Sequence, residues 1–209
     1  MARLQPGSAR ALAELILGYG LILLVLWTPE SAQRILSPIA FVVTLAVVLA
    51  GGLSREELGF GLRGLVRSLW ILPAAAALCE RAGTLHSLYN ADPRHVVGYF
   101  LWTIYQQFLL QDYFLPRVTR LLVSEPKAIL LVAVLFATAH LPNPVLTAAT
   151  FAWGVISCML FRRYRNLYAL GLAQGLLGLC FAVCVPDALN HHMRVGLGYL
   201  HYHATRPAP

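Results

Sequence analysis

WTIYQQFLLQDYF, residues 102–114, is apolar in bulk, yet it carries Gln106, Gln107, Gln111 and Asp112. A polar side chain in hydrocarbon costs free energy unless it finds a partner. If this stretch crosses a membrane, its four polar residues are either glue between helices or the floor of a site. The fold therefore turns on whether the surrounding chain is a membrane bundle.

The composition says that it is. Of 209 residues, 58% are hydrophobic and 12% are charged, and the mean hydropathy is +0.66. Soluble domains are nearer a quarter charged. Segments at roughly 11–28, 36–53, 67–82, 95–115, 127–140, 143–161 and 167–185 approach the ~20 apolar residues that a spanning helix needs, the fifth falling short. The fold class expected is all-α, a polytopic transmembrane bundle of about seven spans within a single domain, 1–209. The connections leave no room for a soluble domain.

The net charge of +7 could suggest a nucleic-acid partner. Its distribution argues against one. In a seven-span arrangement Arg3, Arg10, Arg55, Arg63, Arg67, Arg117, Arg120, Lys127, Arg162, Arg163 and Arg165 fall on one side. Arg34, Arg81, Arg94, Arg194 and Arg206 fall on the other. The positive-inside rule then places the N-terminus in the cytoplasm and the C-terminus outside. The expected partner of the basic side is the lipid bilayer, through anionic headgroups, and no nucleic acid is expected. The first apolar run follows Arg3 and Arg10 but has no small-x-small cleavage site, so it reads as an uncleaved helix. Cys79, Cys158, Cys180 and Cys184 lie inside predicted spans and read as small apolar residues.

On the fourth span Gln107 and Gln111 are four apart and share a face. Gln106 sits ~100° round from Gln107 and Asp112 ~140° from it. The fifth span ends in LFATAHLPNP, where Pro142 and Pro144 force a break after His140. Phe136 lies four residues before His140, and Asn143 sits in the turn. On the last span Gln174 is framed by Gly171, Gly175 and Gly178, which admit a neighbouring backbone. Three helices thus offer polar groups at membrane depth, a pattern that marks a site. Hydrogen-bonded glue remains the alternative for Gln111 and Gln174, whereas a titratable histidine at a broken helix end points to function.

QQFLLQDYFLPRV, FATAHLPN and AQGLLG, in that order, resemble the CPBP family. These are type II CAAX prenyl protease-like and bacteriocin-processing intramembrane proteases. The resemblance covers roughly 95–185, by comparison with the span order. The family pattern is Glu-Glu-x-x-x-Arg, then Phe-x-x-x-His, then His-x-x-x-Asn. Phe136 and His140 match the second motif. Gln106 and Gln107 stand in place of the glutamates, Gln111 of the arginine, and Gln174 and Gly178 of the last pair. The resemblance implies a membrane-embedded cavity with catalytic positions at His140, Gln106, Gln107 and Gln174. It places substrate contacts at Gln111, Phe136, Asn143 and Gly178. It also implies a membrane-tethered or exported peptide or protein as substrate, in a bacterial inner (plasma) membrane. No cofactor follows, and a metal at His140 has no supporting ligand set.

The replacements bear on the chemistry. A carboxylate can take a proton from water and an amide cannot. Losing the arginine with both glutamates is coherent, because an unpaired buried cation is costly. Glu14, Glu80 and Asp112 are the carboxylates near membrane depth that could substitute, and none has a convincing position. Three readings follow: an altered protease, an inactive relative that binds a peptide end or lipid, and a lipid- or isoprenoid-directed enzyme on the same scaffold. The C-terminal His191, His192, His201 and His203 read as part of an interfacial tail with Tyr199, Tyr202 and Arg194 rather than as a metal site.

Overall fold

The computed structural model describes residues 7–82, 92–122 and 124–202. Arg3, His203 and Arg206 therefore lie outside the described residues. All regular structure among the described residues is helical. The helices are α1 (Ser8–Leu26), α2 (Glu30–Leu49), α3 (Leu62–Ser68), α4 (Ile71–Arg81) and α5 (Pro93–Phe108). A π-helical turn at Leu109–Phe114 joins α5 to α6 (Leu115–Leu122). Then follow α7 (Glu125–Thr138), α8 (Pro144–Tyr164), α9 (Leu167–Cys184), α10 (Asp187–Asn190) and α11 (Gly196–Leu200).

Among the described residues, five helical stretches are long and apolar enough to cross a membrane: Ser8–Leu26, Glu30–Leu49, Leu62–Arg81, Pro144–Tyr164 and Leu167–Cys184. The sequence expectation was about seven. The two that differ are the ones bearing the polar motifs. The α5–π–α6 segment is interrupted by the glutamines, Asp112 and Arg117. Helix α7 has 14 residues, about 21 Å at 1.5 Å per residue, short of the ~30 Å hydrocarbon core.

Local sequence sets the helix starts. Asp92 caps α5 by accepting from the backbone N–H of Arg94, and Pro93 follows at the first helical position. Asn143 caps α8 and Asn166 caps α9, each accepting from the backbone N–H three residues on, at 3.0 and 2.8 Å. Such caps satisfy donors that a helix cannot satisfy itself.

Helices α7 and α8 form an antiparallel hairpin, and α9 packs on α5 and α4. The α9–α5 approach depends on missing side chains. A Cβ at Gly171 would stand 2.7 Å from the Ile104 Cα, and one at Gly175 would run into the Phe100 ring. This closeness lets Thr103 donate across to the Gly171 carbonyl at 2.8 Å. The helix pair that carries Gln106, Gln107 and Gln174 is thereby held at short range, as small residues allow in membrane bundles.

The basic loops gather at the end of the bundle away from His140. Arg162 pairs with Glu125 at 2.6 Å, Arg165 donates to the Glu57 carbonyl at 3.3 Å, and Gly64 lies against the Tyr164 and Arg165 carbonyls. At the opposite end the chain after α9 returns over the His140 turn. Gly196 donates to the Leu141 carbonyl at 2.8 Å. Gly196 has φ 54, and a Cβ there would meet the Leu26 carbonyl, so the return needs glycine on both counts.

Candidate functional site

The polar residues of α5, α8 and α9 converge in one hydrogen-bonded chain. Gln111 Nε2 donates to Gln107 Oε1 at 3.1 Å and lies 3.4 Å from Ser157 Oγ. Gln107 Nε2 donates to Gln174 Oε1 at 2.6 Å. Gln174 Nε2 in turn donates to Gln106 Oε1. The indole N–H of Trp153 also reaches Gln174 Oε1, at 3.0 Å. The sequence placed Gln107 and Gln111 on one face, and the i, i+4 bond runs along that face just where the α-helix passes into the π turn. Local π turns recur where a helix must re-aim side chains.

His140 is set by a helix-end rearrangement. Its backbone N–H turns to the Ala137 carbonyl at 2.8 Å. The Phe136 carbonyl, which a continuing α-helix would have paired with that N–H, instead takes the imidazole Nδ1 at 2.7 Å. A carbonyl only accepts, so Nδ1 carries the proton and the neutral ring keeps its lone pair on Nε2. The Phe136 ring packs edge-on to the imidazole, centroids 4.9 Å apart.

A cavity of about 510 Å³ lies between these elements, within the range of small-molecule sites. Gln106, Phe136, His140, Gln174 and Gly178 line it, with Tyr19, Tyr99, Trp102, Tyr105 and Trp153 among the aromatic walls. No Asp, Glu, Lys or Arg among the described residues lines it. Gln107 and Gln111 are fully buried behind the wall, where Gln107, braced by Gln111, holds Gln174, which in turn holds Gln106. Asn143 is also outside the lining. Its amide nitrogen donates to the Asn190 carbonyl at 2.8 Å and lies 3.3 Å from the Arg194 carbonyl. It ties the returning chain, from which Met193 and Val195 reach the cavity.

The substitute carboxylates do not enter the cavity. Glu14 is engaged by Arg117 at 2.8 Å and Arg10 at 2.7 Å. Glu80 is exposed on α4. Asp112 is buried with Oδ2 unpartnered among the described residues. Arg117, five residues on, reaches only the Asp112 backbone carbonyl, at 3.3 Å. Among the described residues no group of three His, Cys, Asp or Glu side chains is placed to hold a metal ion. His191 stacks on Tyr199, centroids 4.1 Å apart. Hydrogen bonding from Tyr202 holds the Asp187 carboxyl below its ordinary range.

A comparison of the sequence with protein families bears on the whole of this region. The family profile described as type II CAAX prenyl endopeptidase Rce1-like matches residues 35–180. The chain belongs to the Rce1-like family. No curated protein and no solved structure matches it. The Rce1-like assignment and the apolar helices make this an integral membrane protein with a CAAX-protease-like helical bundle. The Rce1-like match begins in α2 and ends in α9, so it takes in Gln106, Gln107, Gln111 and Gln174 together with His140.

Two features escaped the sequence reading. Trp153 sits ten residues into α8, whereas tryptophan in membrane helices concentrates at the interfaces. A mid-span indole N–H needs a partner, and that requirement was the available signal. The contribution of Met193 and Val195 had no local signal, because it depends on a chain return fixed by Asn143 and Gly196.

Proposed function

We propose that the cavity receives a membrane-tethered or exported peptide and that His140 is the base of an altered hydrolytic site. The observation that supports this most is the Nε2 lone pair of His140, set by the Nδ1 bond to Phe136 and without a partner among the described residues, in the same cavity as Gln106 and Gln174. In this reading His140 Nε2 takes a proton from water as the water oxygen bonds to the peptide carbonyl carbon. The oxygen charge that develops meets the Gln106 amide N–H, the kind of donor that stabilises such charge. The imidazolium then returns its proton to the leaving nitrogen as the C–N bond breaks. Gln107 and Gln111 position the reacting amides without touching substrate.

A second reading is favoured by the uncharged lining: the chain is an inactive relative that binds a peptide end without cutting it. The apolar walls also suit a lipid or isoprenoid chain, as on a scaffold turned to lipid chemistry. The gathering of basic loops away from His140 supports a cytoplasmic N-terminus and an outward-facing site, as in a bacterial inner membrane. The test is incubation of purified wild type and His140→Ala in bilayer discs with an N-acylated peptide, followed by mass spectrometry. Wild-type products that His140→Ala fails to make are expected. Equal product from both proteins contradicts the role of His140, and no product from either moves the assignment to the binding reading.

A further inference from the structure

We infer that Trp153 is a specificity-determining residue of the cavity: by fixing the direction of the amide chain it makes the wall present a hydrogen-bond donor, the Gln106 amide, to a ligand carbonyl. The inference rests on reading this cavity as the substrate site.

An amide chain can run in either direction, since each glutamine has one donating and one accepting end. The indole N–H is different. It can only donate, and it meets Gln174 at 3.0 Å. That end of Gln174 must therefore be oxygen, with its second lone pair taken by Gln107 Nε2. The other end of Gln174 must be nitrogen, and it donates to Gln106 Oε1. Gln106 is then left with Nε2, which has no partner among the described residues and belongs to a side chain lining the cavity. Behind Gln107, the chain closes on Gln111 Nε2 in the same sense.

The wall thus presents a donor at Gln106 and a lone pair at His140 Nε2. A group that accepts at one atom and donates at another, such as a peptide amide, matches both. With the chain reversed, two acceptors would face the ligand, and the match would be lost. A free carboxylate also accepts, but it would enter a cavity whose described lining has no cation. An unpaired charge in apolar surroundings is costly.

The test uses the full chain in bilayer discs and two probes, N-decanoyl-Ala-Phe methylamide and N-decanoyl-Ala-phenethylamide, which lacks the terminal carbonyl, near neutral pH. Wild type is expected to bind the methylamide more tightly. In Trp153→Phe the affinity ratio of methylamide to phenethylamide is expected to fall about three- to tenfold, the worth of one hydrogen bond. Probe partitioning into lipid is common to both proteins and cancels in that comparison, and a general packing defect would weaken both probes alike. A wild type that binds both probes equally, or holds neither, overturns the inference. So does an unchanged ratio in a Trp153→Phe protein that stays monodisperse. Should Trp153→Phe fail to fold, infrared spectroscopy of an isotope-labelled methylamide carbonyl decides. The expected result is a shift to lower frequency on wild type and none on Gln106→Leu, and an unshifted band on wild type overturns the inference. Because neither readout needs cleavage, selective binding without hydrolysis sinks the hydrolytic reading alone, and hydrolysis without selectivity sinks this inference alone.

Discussion

The helix from Pro93 to Leu122 solves the burial of polar groups in two different ways along its length. Toward its C-terminal end Arg117 makes a charged cluster. Its guanidinium meets Glu14 at 2.8 Å, donates to the Tyr113 carbonyl at 2.7 Å, and lies 4.1 Å from the Tyr113 ring centroid. Six residues earlier the fully buried Gln111 begins an uncharged chain of amides that ends at the cavity. The same helix therefore does bury a cation where a carboxylate, two carbonyls and a ring surround it. The neutral glutamines are a property of the site, not of a helix unable to hold charge. A buried ion pair is stable only as a complete set. The amide chain is closed in a similar sense along its length, each link pairing a donor with an acceptor; Gln111 Oε1, at its buried end, and Gln106 Nε2, at the cavity, are left without partners among the described residues.

The largest expected effect comes from mixing the two solutions. Gln111→Arg puts a cation among amides at a fully buried position, and a loss of about 3–5 kcal/mol is expected for an uncompensated buried charge. Adding Gln107→Glu, whose side chain already bonds residue 111, is expected to recover part of it. Unfolding in detergent, read as a double-mutant cycle, checks the coupling. Strict additivity would show that the two positions do not act as one unit.

Next in size is Glu14→Ala, which strips Arg117 of its carboxylate. Because Arg117 keeps its carbonyls and the Tyr113 ring, and the pair sits near the helix end, a smaller cost of about 2–3 kcal/mol is expected. Thermal unfolding of the purified variant reports it. A loss as large as that of Gln111→Arg would erase the contrast between the two ends.

Asn143→Ala should fall lower still. It removes the α8 cap and leaves the Asn190 carbonyl without its donor, about 1–2 kcal/mol by the usual cost of a lost cap. Here the informative readout is local: hydrogen exchange should rise in residues 190–196 before it rises in α8. Uniform exchange across both would mean that Asn143 does not anchor the returning chain.

Smallest is a pH effect at Asp187. Its carboxyl is held below the ordinary value by the Tyr202 hydroxyl. A lowered folded-state pKa gives stabilisation that is fully present above the unfolded value and is lost as pH falls through the folded one. Exchange at the His192 amide, which donates to Asp187 Oδ1 at 2.8 Å, should therefore stay slow at neutral pH and quicken only well into the acid range. Quickening near neutrality would rule out the carboxylate as the anchor.

Much of this arrangement was legible in the sequence because it is local. The four-residue spacing of Gln107 and Gln111, the proline break after His140, and the glycines around Gln174 all became contacts of the expected kind. What was hidden depends on partners far along the chain. Nothing near Asn143 tells that its amide binds a carbonyl 47 residues later, so the turn looked open to the site. The angles drawn on an ideal helix could not tell which glutamine faces the cavity and which stands behind it, since the π turn at Leu109–Phe114 changes the helix period within the motif. Trp153 was passed over because an apolar ring in an apolar span raises no question until its N–H is counted.

The central claim is that an amide-lined cavity with a single histidine base acts on membrane-associated peptides. The most direct test maps peptide termini in membrane and secreted proteins from cells that express wild type or His140→Ala at matched levels. The account predicts a small set of termini present with wild type and lost with His140→Ala, and these would identify the substrate. Identical maps would contradict it and leave a protein that binds without cutting.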